Sequence, residues 1–207
     1  NAIDQCFINS GQSCSAPTRL LVPIDTIENV ERIANKHINT LITGDPMDTN
    51  TNLGPVVNVK QFISIQTYIE SGINSGLKLI SGGLGRPINC NSGYFIKPTI
   101  FSEVSNESLV AQEEIFGPVL SIITYDDMNH AVRIANDSIY GLSSYITCLD
   151  DEEGLEIARK IKAGQTIINK KSRGSAPAPF GGFKMSGNGR EHGLFGLEEY
   201  LEIKAII

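Results

Sequence analysis

The sequence predicts an α/β fold: a layered, largely parallel sheet flanked by helices, with a further strand at the C-terminus. Three observations lead to this fold class. Apolar runs of strand length alternate with amphipathic stretches of helical spacing. The 207 residues, 41% hydrophobic and 19% charged, suffice for one globular domain with a full core. The last residues alternate apolar and polar, which is typical of a strand whose open edge pairs with another chain.

The first half of the chain opens with a short mixed stretch and then alternates strand and helix. The apolar run 19–23, closed by a proline, predicts a buried strand. Apolar residues at helical spacing over 26–41 and 59–73 predict two amphipathic helices, separated by a polar, turn-rich stretch. Alternation at 77–80 and the run 93–101 predict the next two strands.

The second half continues the alternation. We expect strands at 119–125, 141–148 and 166–169, with helices near 128–135 and 155–161 and a closing strand at 200–207. Strands that alternate with helices indicate parallel pairing, and ligands of parallel sheets tend to bind beyond the carboxyl ends of the strands. Residues at strand ends are therefore the candidates for function.

Composition excludes several classes of protein. A net charge of -6, a pI near 5.1 and the lack of a long Lys/Arg run argue against nucleic acid or an anionic membrane as partner. The apolar runs are too short to span a bilayer, and no signal-peptide pattern opens the chain, so we expect a cytoplasmic protein. The four cysteines show no C-x-x-C spacing, which favours neither a metal site nor a disulfide framework. The chain starts without methionine inside an apparent structural element, which indicates a fragment.

One cysteine lies in a setting that suits chemistry. Cys14 follows Gly11 and has Ser13 and Ser15 as neighbours, so small and turn-forming residues leave room for a ligand atom to approach the sulfur. The alternative is that Cys14 is only a small residue in a turn before the strand, because most lone cysteines are structural.

Two glycine-rich stretches, 112–118 and 179–191, also look like more than connectors. In the first, a carboxylate at Glu114 is followed two positions later by Phe116. Such a pair can hold the vicinal hydroxyls of a ribose with the acid and face a flat ring with the phenyl group. The alternative is a helix N-terminal acid beside a core phenylalanine.

Taken together these motifs resemble the C-terminal, catalytic part of NAD(P)-dependent aldehyde dehydrogenases. In family order, the resemblance rests on F-I-N-S-G-Q-S-C for the nucleophile, E-E-I-F-G-P-V for the cofactor ribose, and the closing signature P-F-G-G-F-K-M-S-G-N-G-R-E-x-G. The likeness covers essentially the whole chain. It implies a catalytic domain over 1–198 and an oligomerisation strand over 199–207, with the NAD-binding domain absent from this chain.

The resemblance assigns roles residue by residue. Cys14 is similar to the nucleophile that attacks the aldehyde carbonyl and carries the thioester. Glu114 corresponds to the residue that binds the nicotinamide-side ribose, and Phe116 to one that packs near the cofactor ring. Gln61 is similar to a residue that touches the other ribose in some members, although Ser64 stands where those members often have lysine.

What precedes the cysteine in that family is not present here. The dinucleotide site, the oxyanion amide and the glutamate base all belong to earlier segments, and the acids of this chain are typical of solvated charges rather than substitutes. We therefore expect the isolated chain to be inactive. The resemblance implies NAD or NADP as cofactor, an aldehyde as substrate, and a homodimer or homotetramer for the full-length enzyme.

Substrate contacts are expected from Ser13 and Ser15 beside the cysteine and from the loop 170–175. Three cations lie in that loop, and Arg173 is the candidate partner for a substrate carboxylate. The alternative is that these are solvated loop charges.

Two other classes of function stay open from the sequence. A cysteine hydrolase or acyltransferase would also present a thiol but needs a histidine such as His130 or His192. A non-catalytic assembly fragment would use the alternating C-terminal strand.

Overall fold

A computed structural model describes residues 2–169 and 176–207, which form two compact units, 1–131 and 132–207. The chain alternates helix and strand as expected. The elements of the first unit are α1 (Ala2–Phe7), β1 (Arg19–Pro23), α2 (Ile27–Ile38), α3 (Val59–Asn74), β2 (Lys78–Ser81), β3 (Thr99–Ser102), α4 (Leu109–Gln112) and β4 (Val119–Tyr125). Helix α5 (Met128–Asn136) spans the boundary, and β5 (Ser143–Ile146), α6 (Asp151–Ala158), β6 (Gln165–Ile168) and α7 (Gly193–Glu198) follow.

The first unit is built on a four-stranded sheet of order β1-β4-β3-β2. Strands β1 and β3 pair with β4 in parallel, Arg19 facing Ser121 and Thr99 facing Val119, and β2 is antiparallel to β3. The prediction of a largely parallel sheet is confirmed here. The first five residues of β4 are all buried, which explains why this strand is a continuous apolar and β-branched run.

Helices cover both faces of this sheet. Ile100 and Leu120 belong to a core cluster with α1 and α2, to which Phe7 and Ile38 contribute. The neighbouring Phe101 packs against α3, at Gly72, where a Cβ would lie 2.7 Å from the Phe101 ring. Adjacent residues of one strand point to opposite faces, so this sheet lies between two helical layers.

An ion-pair cluster ties α2 to the sheet edge. The Lys78 ammonium lies 2.8 Å from Glu31 and 2.7 Å from Glu103. Burial acts to raise the pKa of the Glu31 carboxyl, but the hydrogen bond and charge of Lys78 outweigh it, and that pKa is lower than usual.

The second unit holds a separate two-stranded sheet in which β5 and β6 are parallel, Ser143 facing Gln165. The strands of the chain thus form two sheets rather than one. Asp150 caps α6 by accepting a hydrogen bond from the Glu152 amide. None of the helices that the structure describes has the length and apolar character needed to cross a membrane.

Some predicted elements differ from those observed. The 93–101 run forms a strand only from Thr99, because Tyr94 is bound elsewhere: its carbonyl accepts the Val56 N–H at 3.0 Å. The C-terminal strand predicted over 199–207 is not formed in this chain, where 201–207 has no regular structure and is exposed. An alternating pattern becomes a strand only where a neighbouring edge supplies hydrogen-bond partners, so the oligomerisation role of this segment stays a prediction.

Candidate active site

Two chemistry-bearing loops meet where β1 and β4 begin. Residues 8–18 lead into β1, residues 113–118 lead into β4, and parallel neighbours start at the same edge of a sheet. The candidate residues therefore lie at the amino ends of these strands. The expectation of a site beyond the carboxyl ends was wrong, because both motifs precede their strands in the sequence.

The loop before the cysteine has an unusual backbone. Asn9, Ser10 and Gly11 all adopt left-handed conformations, with φ of 51°, 56° and 75°. At Gly11 the backbone lies directly against the other loop: a Cβ there would be 2.1 Å from the Gly117 carbonyl oxygen. Only glycine allows this approach. The contact joins residues 8–18, which carry the candidate nucleophile Cys14 and are hereafter called the nucleophile loop, to the segment that carries Glu114 and Phe116.

Side chains of the same loop are bonded to the segment that precedes α3. The Ser10 hydroxyl donates to the Gly54 carbonyl at 2.8 Å, and the Gln12 side-chain oxygen accepts the Val57 N–H at 2.8 Å. The Asn9 and Gln12 amides also donate to each other's backbone carbonyls, at 3.0 and 3.1 Å. These bonds fix the loop two residues before Cys14.

Cys14 is exposed to solvent at the tip of a turn closed by the Ala16 N–H, which donates to the Ser13 carbonyl at 2.9 Å. Its thiol lies 4.0 Å from the Ser15 hydroxyl. Ser15 is buried and Ser13 half-buried. The sequence-based expectation of a presented thiol with two adjacent serines agrees with this geometry.

The other cysteines lie in different surroundings. Cys6 is completely buried under β4, and burial raises the pKa of its thiol well above the usual value. Cys90 is buried as well, and its thiol pKa is raised for the same reason. A thiolate is the reactive form of cysteine, so both are poor nucleophiles in the folded protein.

Glu114 and Phe116 lie on either side of an anchoring residue. Ile115 is buried, whereas Glu114 is exposed and Phe116 half-buried. Within residues 2–169 and 176–207 no hydrogen bond or ion pair engages the Glu114 carboxylate. Phe116 has φ of 54°, a left-handed conformation that costs a non-glycine residue about 1 kcal/mol. The Glu114 carboxylate is therefore free to accept hydrogen bonds from a ligand.

Gln61 lies in the first turn of α3. The helix is capped by Asn58, whose side chain accepts the Gln61 N–H at 3.0 Å. The Gln61 side-chain nitrogen donates to two successive carbonyls, those of Ile115 at 3.0 Å and Phe116 at 2.9 Å. The structure thus brings Gln61 to the segment of Glu114 and Phe116, and it does so through the backbone of that segment.

Each of the three histidines lies near an acid, and for His192 this is Glu191 at 4.0 Å. His37 lies 2.6 Å from Asp4, and His130 lies 3.0 Å from Asp126. In the second unit, His192 packs edge-on to Phe180. Within the described part of the first unit the Cys14 thiol has one hydrogen-bond contact, with Ser15, so neither His37 nor His130 is bonded to it.

The predicted substrate residue Arg173 lies outside the described residues. The closing signature, further along the second unit, is held by hydrogen bonds within the segment. Phe180 and Glu191 exchange two backbone hydrogen bonds of 2.7 and 2.6 Å. The Arg190 guanidinium donates to the Gly182 carbonyl at 2.9 Å and stacks over Phe183. Across the described ranges no group of three or more His, Cys, Asp or Glu side chains is arranged to hold a metal ion.

Sequence reasoning missed the segment that supports both loops. Gly54 and Val57 bind the nucleophile loop, and Gln61 binds the other. The one signal available was the Gly54-Pro55 pair before a helix, which indicates only a turn.

Comparison with known proteins identifies relatives of this chain. A family model described as the aldehyde dehydrogenase family matches residues 1–206. A 3-succinoylsemialdehyde-pyridine dehydrogenase of a Pseudomonas species is 48% identical over 204 residues, which are 97% of this chain and 42% of that protein. A putative aldehyde dehydrogenase of Staphylococcus haemolyticus is 46% identical over 96% of this chain and 42% of its own length.

Solved structures give the same result. A mutant of aldehyde dehydrogenase C from Pseudomonas syringae, in complex with NAD+ and octanal, matches with a TM-score of 0.96 at 47% identity. The match covers 99% of this chain and 42% of that one. An aldehyde dehydrogenase of Mycobacterium tuberculosis in complex with NAD+ matches with a TM-score of 0.93 at 39% identity, over 96% of this chain and 41% of that one. The chain therefore spans about two fifths of the length of these relatives.

Proposed function

Since this chain belongs to the aldehyde dehydrogenase family, we propose that the natural protein carrying it oxidises an aldehyde to a carboxylic acid with NAD+ or NADP+, with Cys14 as nucleophile. The observation that carries the proposal is the exposed Cys14 thiol on a loop whose Gly11 packs against the segment of Glu114 and Phe116. A nucleophile and a ribose-binding acid thereby lie on adjoining loops. A cysteine-to-alanine mutant of the Pseudomonas syringae relative holds both NAD+ and octanal, which supports an aldehyde and NAD+ as the ligands.

Cys14 has a defined part in the reaction. Its thiolate attacks the aldehyde carbon, the C=O π bond opens, and a thiohemiacetal forms on Sγ with its charge on oxygen. The Cys14 backbone N–H is one donor for that oxyanion. When C–H cleavage re-forms the carbonyl, a thioester remains on Sγ. Water then adds to the thioester, releases the acid and returns the thiol.

The cofactor residues fit a nicotinamide dinucleotide in part. The unpaired Glu114 carboxylate suits two vicinal ribose hydroxyls, and the half-buried Phe116 ring suits a flat heterocycle. The nicotinamide cofactor supplies the hydride acceptor when bound. In this chain Glu114 would orient the ribose, and Phe116 would limit where the ring can lie.

For the substrate we propose that Ser13 and Ser15 line the aldehyde pocket beside the nucleophile and that Arg173 favours an aldehyde bearing a carboxylate. The test compares neutral and anionic aldehydes of equal chain length. We expect a higher kcat/KM for the anionic member, and this preference should be lost in Arg173→Gln. Equal efficiencies in the native protein would contradict the role of Arg173.

We further propose that the 207-residue chain alone binds NAD weakly and does not turn over, because in the family the base and the oxyanion amide come from segments before the cysteine. Residues 1–198 would then act as the catalytic domain, and 199–207 as an oligomerisation strand in a cytoplasmic homodimer or homotetramer. Quantitative NADH formation by the chain alone would contradict the first statement. A monomeric natural protein in light scattering would contradict the second.

The central test is NADH formation from a panel of aldehydes by the natural protein, by Cys14→Ala and by Cys148→Ala. We expect the native protein and the Cys148 variant to reduce NAD+ or NADP+, and Cys14→Ala to lose activity by at least about a thousandfold. The Cys148 variant is the control for the loss of a thiol, because Cys148 is half-buried and lies far from Cys14 in the sequence. If the native protein reduces neither cofactor, the dehydrogenase proposal fails and a hydrolytic role for the thiol comes next.

A further inference from the structure

Gln61 holds the ribose-binding segment through two hydrogen bonds. A side-chain amide has two N–H donors, and here both lie on backbone carbonyls of that segment, at 3.0 Å on Ile115 and 2.9 Å on Phe116. Its nitrogen has no donor left for a sugar hydroxyl. A direct ribose contact, which the family resemblance implies for Gln61, is thereby limited to its side-chain oxygen.

The bonded carbonyls belong to a conformation that needs support. Phe116 is left-handed, with φ of 54°, and Gly117 behind it packs so closely on α3 that a Cβ would lie 2.5 Å from Ile65 Cδ1. The peptide groups of 115–117 are thereby pressed against α3. Gln61 is the polar contact that helix α3 makes with them, and it fixes how the two residues flanking Ile115 project.

The helix itself is a firm base for this contact. Gln61 lies in the first turn of a 16-residue helix whose N-cap, Asn58, binds the Gln61 N–H. The residue before the N-cap, Val57, is bonded to Gln12 of the nucleophile loop. One short stretch, 57–61, therefore contacts both loops of the site.

We infer that Gln61 is a positioning residue: it sets the Glu114 carboxylate and the Phe116 ring for the nicotinamide ribose by binding the Ile115 and Phe116 carbonyls rather than the cofactor. The inference rests on the proposed function for its consequence, because it takes the ligand of Glu114 to be that ribose. The hydrogen bonds themselves do not depend on the reaction.

The first test needs no cofactor. Hydrogen–deuterium exchange of the natural protein is compared between native, Gln61→Met and Gln66→Met. Gln66 is the matched control, because it lies on the same helix and its side-chain oxygen accepts the Gly85 N–H at 2.6 Å, outside both loops. We expect Gln61→Met to raise exchange in the peptide covering 113–118 about tenfold, and Gln66→Met to raise it only around Gly85. Unchanged exchange at 113–118 in Gln61→Met overturns the inference.

The second test measures NAD+ affinity by titration calorimetry in a double-mutant cycle. If Gln61 acts through Glu114 and Phe116, Gln61→Met weakens NAD+ binding about tenfold in the native background and by a clearly smaller factor in Glu114→Gln, where only the Phe116 ring remains to be displaced. An equal loss in both backgrounds identifies Gln61 as a direct ligand and overturns the inference. Gln66→Met should bind NAD+ as the native protein does.

These two readouts separate the inference from the function it deepens. A native protein that binds no nicotinamide cofactor contradicts the proposed function, while the exchange experiment still decides whether Gln61 holds the 113–118 segment. If Gln61→Met does not fold, Gln61→Glu replaces it, because the carboxylate has the same shape but no donor at pH 7.5.

Discussion

Replacing Gly11 by alanine tests the contact that joins the two loops. The new Cβ would lie 2.1 Å from the Gly117 oxygen and 2.2 Å from the Gly117 carbon. Both atoms are backbone, so no side-chain rotation can make room. The substitution also places alanine at a φ of 75°, which L-residues rarely adopt. One loop must therefore move away from the other.

A matched glycine separates these two effects. Gly76, after α3, has a φ of 76°, and nothing lies within 4 Å of its added Cβ. Gly76→Ala should lower the free energy of unfolding by about 1–2 kcal/mol, the conformational cost alone. Gly11→Ala carries that cost plus overpacking of about 1–3 kcal/mol, for a total of roughly 2–5 kcal/mol.

The assay is urea unfolding of the natural protein and its two variants, together with the rate at which iodoacetamide alkylates Cys14. We expect the Gly11 variant to unfold at lower urea than the Gly76 variant, and only the Gly11 variant to change the Cys14 rate and to lose NADH formation. Equal unfolding midpoints with an unchanged Cys14 rate would refute the argument, because they would mean that the loops do not depend on this contact.

Three further predictions follow from the described contacts. In the native protein, iodoacetamide should modify Cys14 at least about tenfold faster than Cys6, as read by mass spectrometry of peptides, because one thiol is exposed and the other buried with a raised pKa; equal rates would contradict the burial of Cys6. Glu31→Gln should lower the free energy of unfolding near neutral pH, and this loss should fade below about pH 4. The reason is that a carboxyl whose folded pKa is depressed stabilises the fold above its unfolded pKa, near 4.3, and loses that stabilisation on acidification. A loss that is constant from pH 3 to 7 in urea titrations would contradict the ion pair with Lys78. Ser10→Ala should cost about 1–2 kcal/mol in the same titrations, since it removes the buried Ser10 hydroxyl and leaves the half-buried Gly54 carbonyl without its donor, and no loss would mean that water replaces the hydroxyl.

The parts of the fold that were predictable are those with strong local patterns. Strand β4 matches the predicted 119–125, because a strand buried on both faces must be apolar along its whole length. Helix α3 was predicted to within a residue or so, since apolar residues such as Phe62, Ile69 and Ile73 recur at helical spacing. The closing strand is not formed in the single chain, because its alternating pattern describes only one half of a pairing, and its pairing with another chain stays a prediction.

The residues of the candidate site likewise fall into those that a local sequence pattern marks and those whose contacts appear only in the folded chain. Cys14, Glu114 and Phe116 could be singled out as candidates because glycine, small residues and an acid-aromatic pair mark them locally. The hydrogen bonds of Gln61 were not predictable, because its partners are two carbonyls more than fifty residues away, and carbonyls have no side-chain identity to read. The sheet edge, in contrast, was readable from the sequence, because both motifs precede their strands, and the expectation followed the general rule for parallel sheets instead.

The pairing of β1 has a consequence for how the site is made. Strand β1 lies at the edge of its sheet and pairs with β4, so that Arg19 faces a residue about a hundred positions further along the chain. Contacts of such long sequence separation form late in folding, because the loop-closure entropy must be met first. At ribosomal rates of synthesis, about 5–20 s pass between the appearance of the nucleophile loop and that of β4 and the Gly117 carbonyl, which contact it. During that interval the Cys14 thiol belongs to a nascent chain in which the two loops of the candidate site have not yet met, and it is the last strand of the sheet, not the cysteine motif, that brings them together.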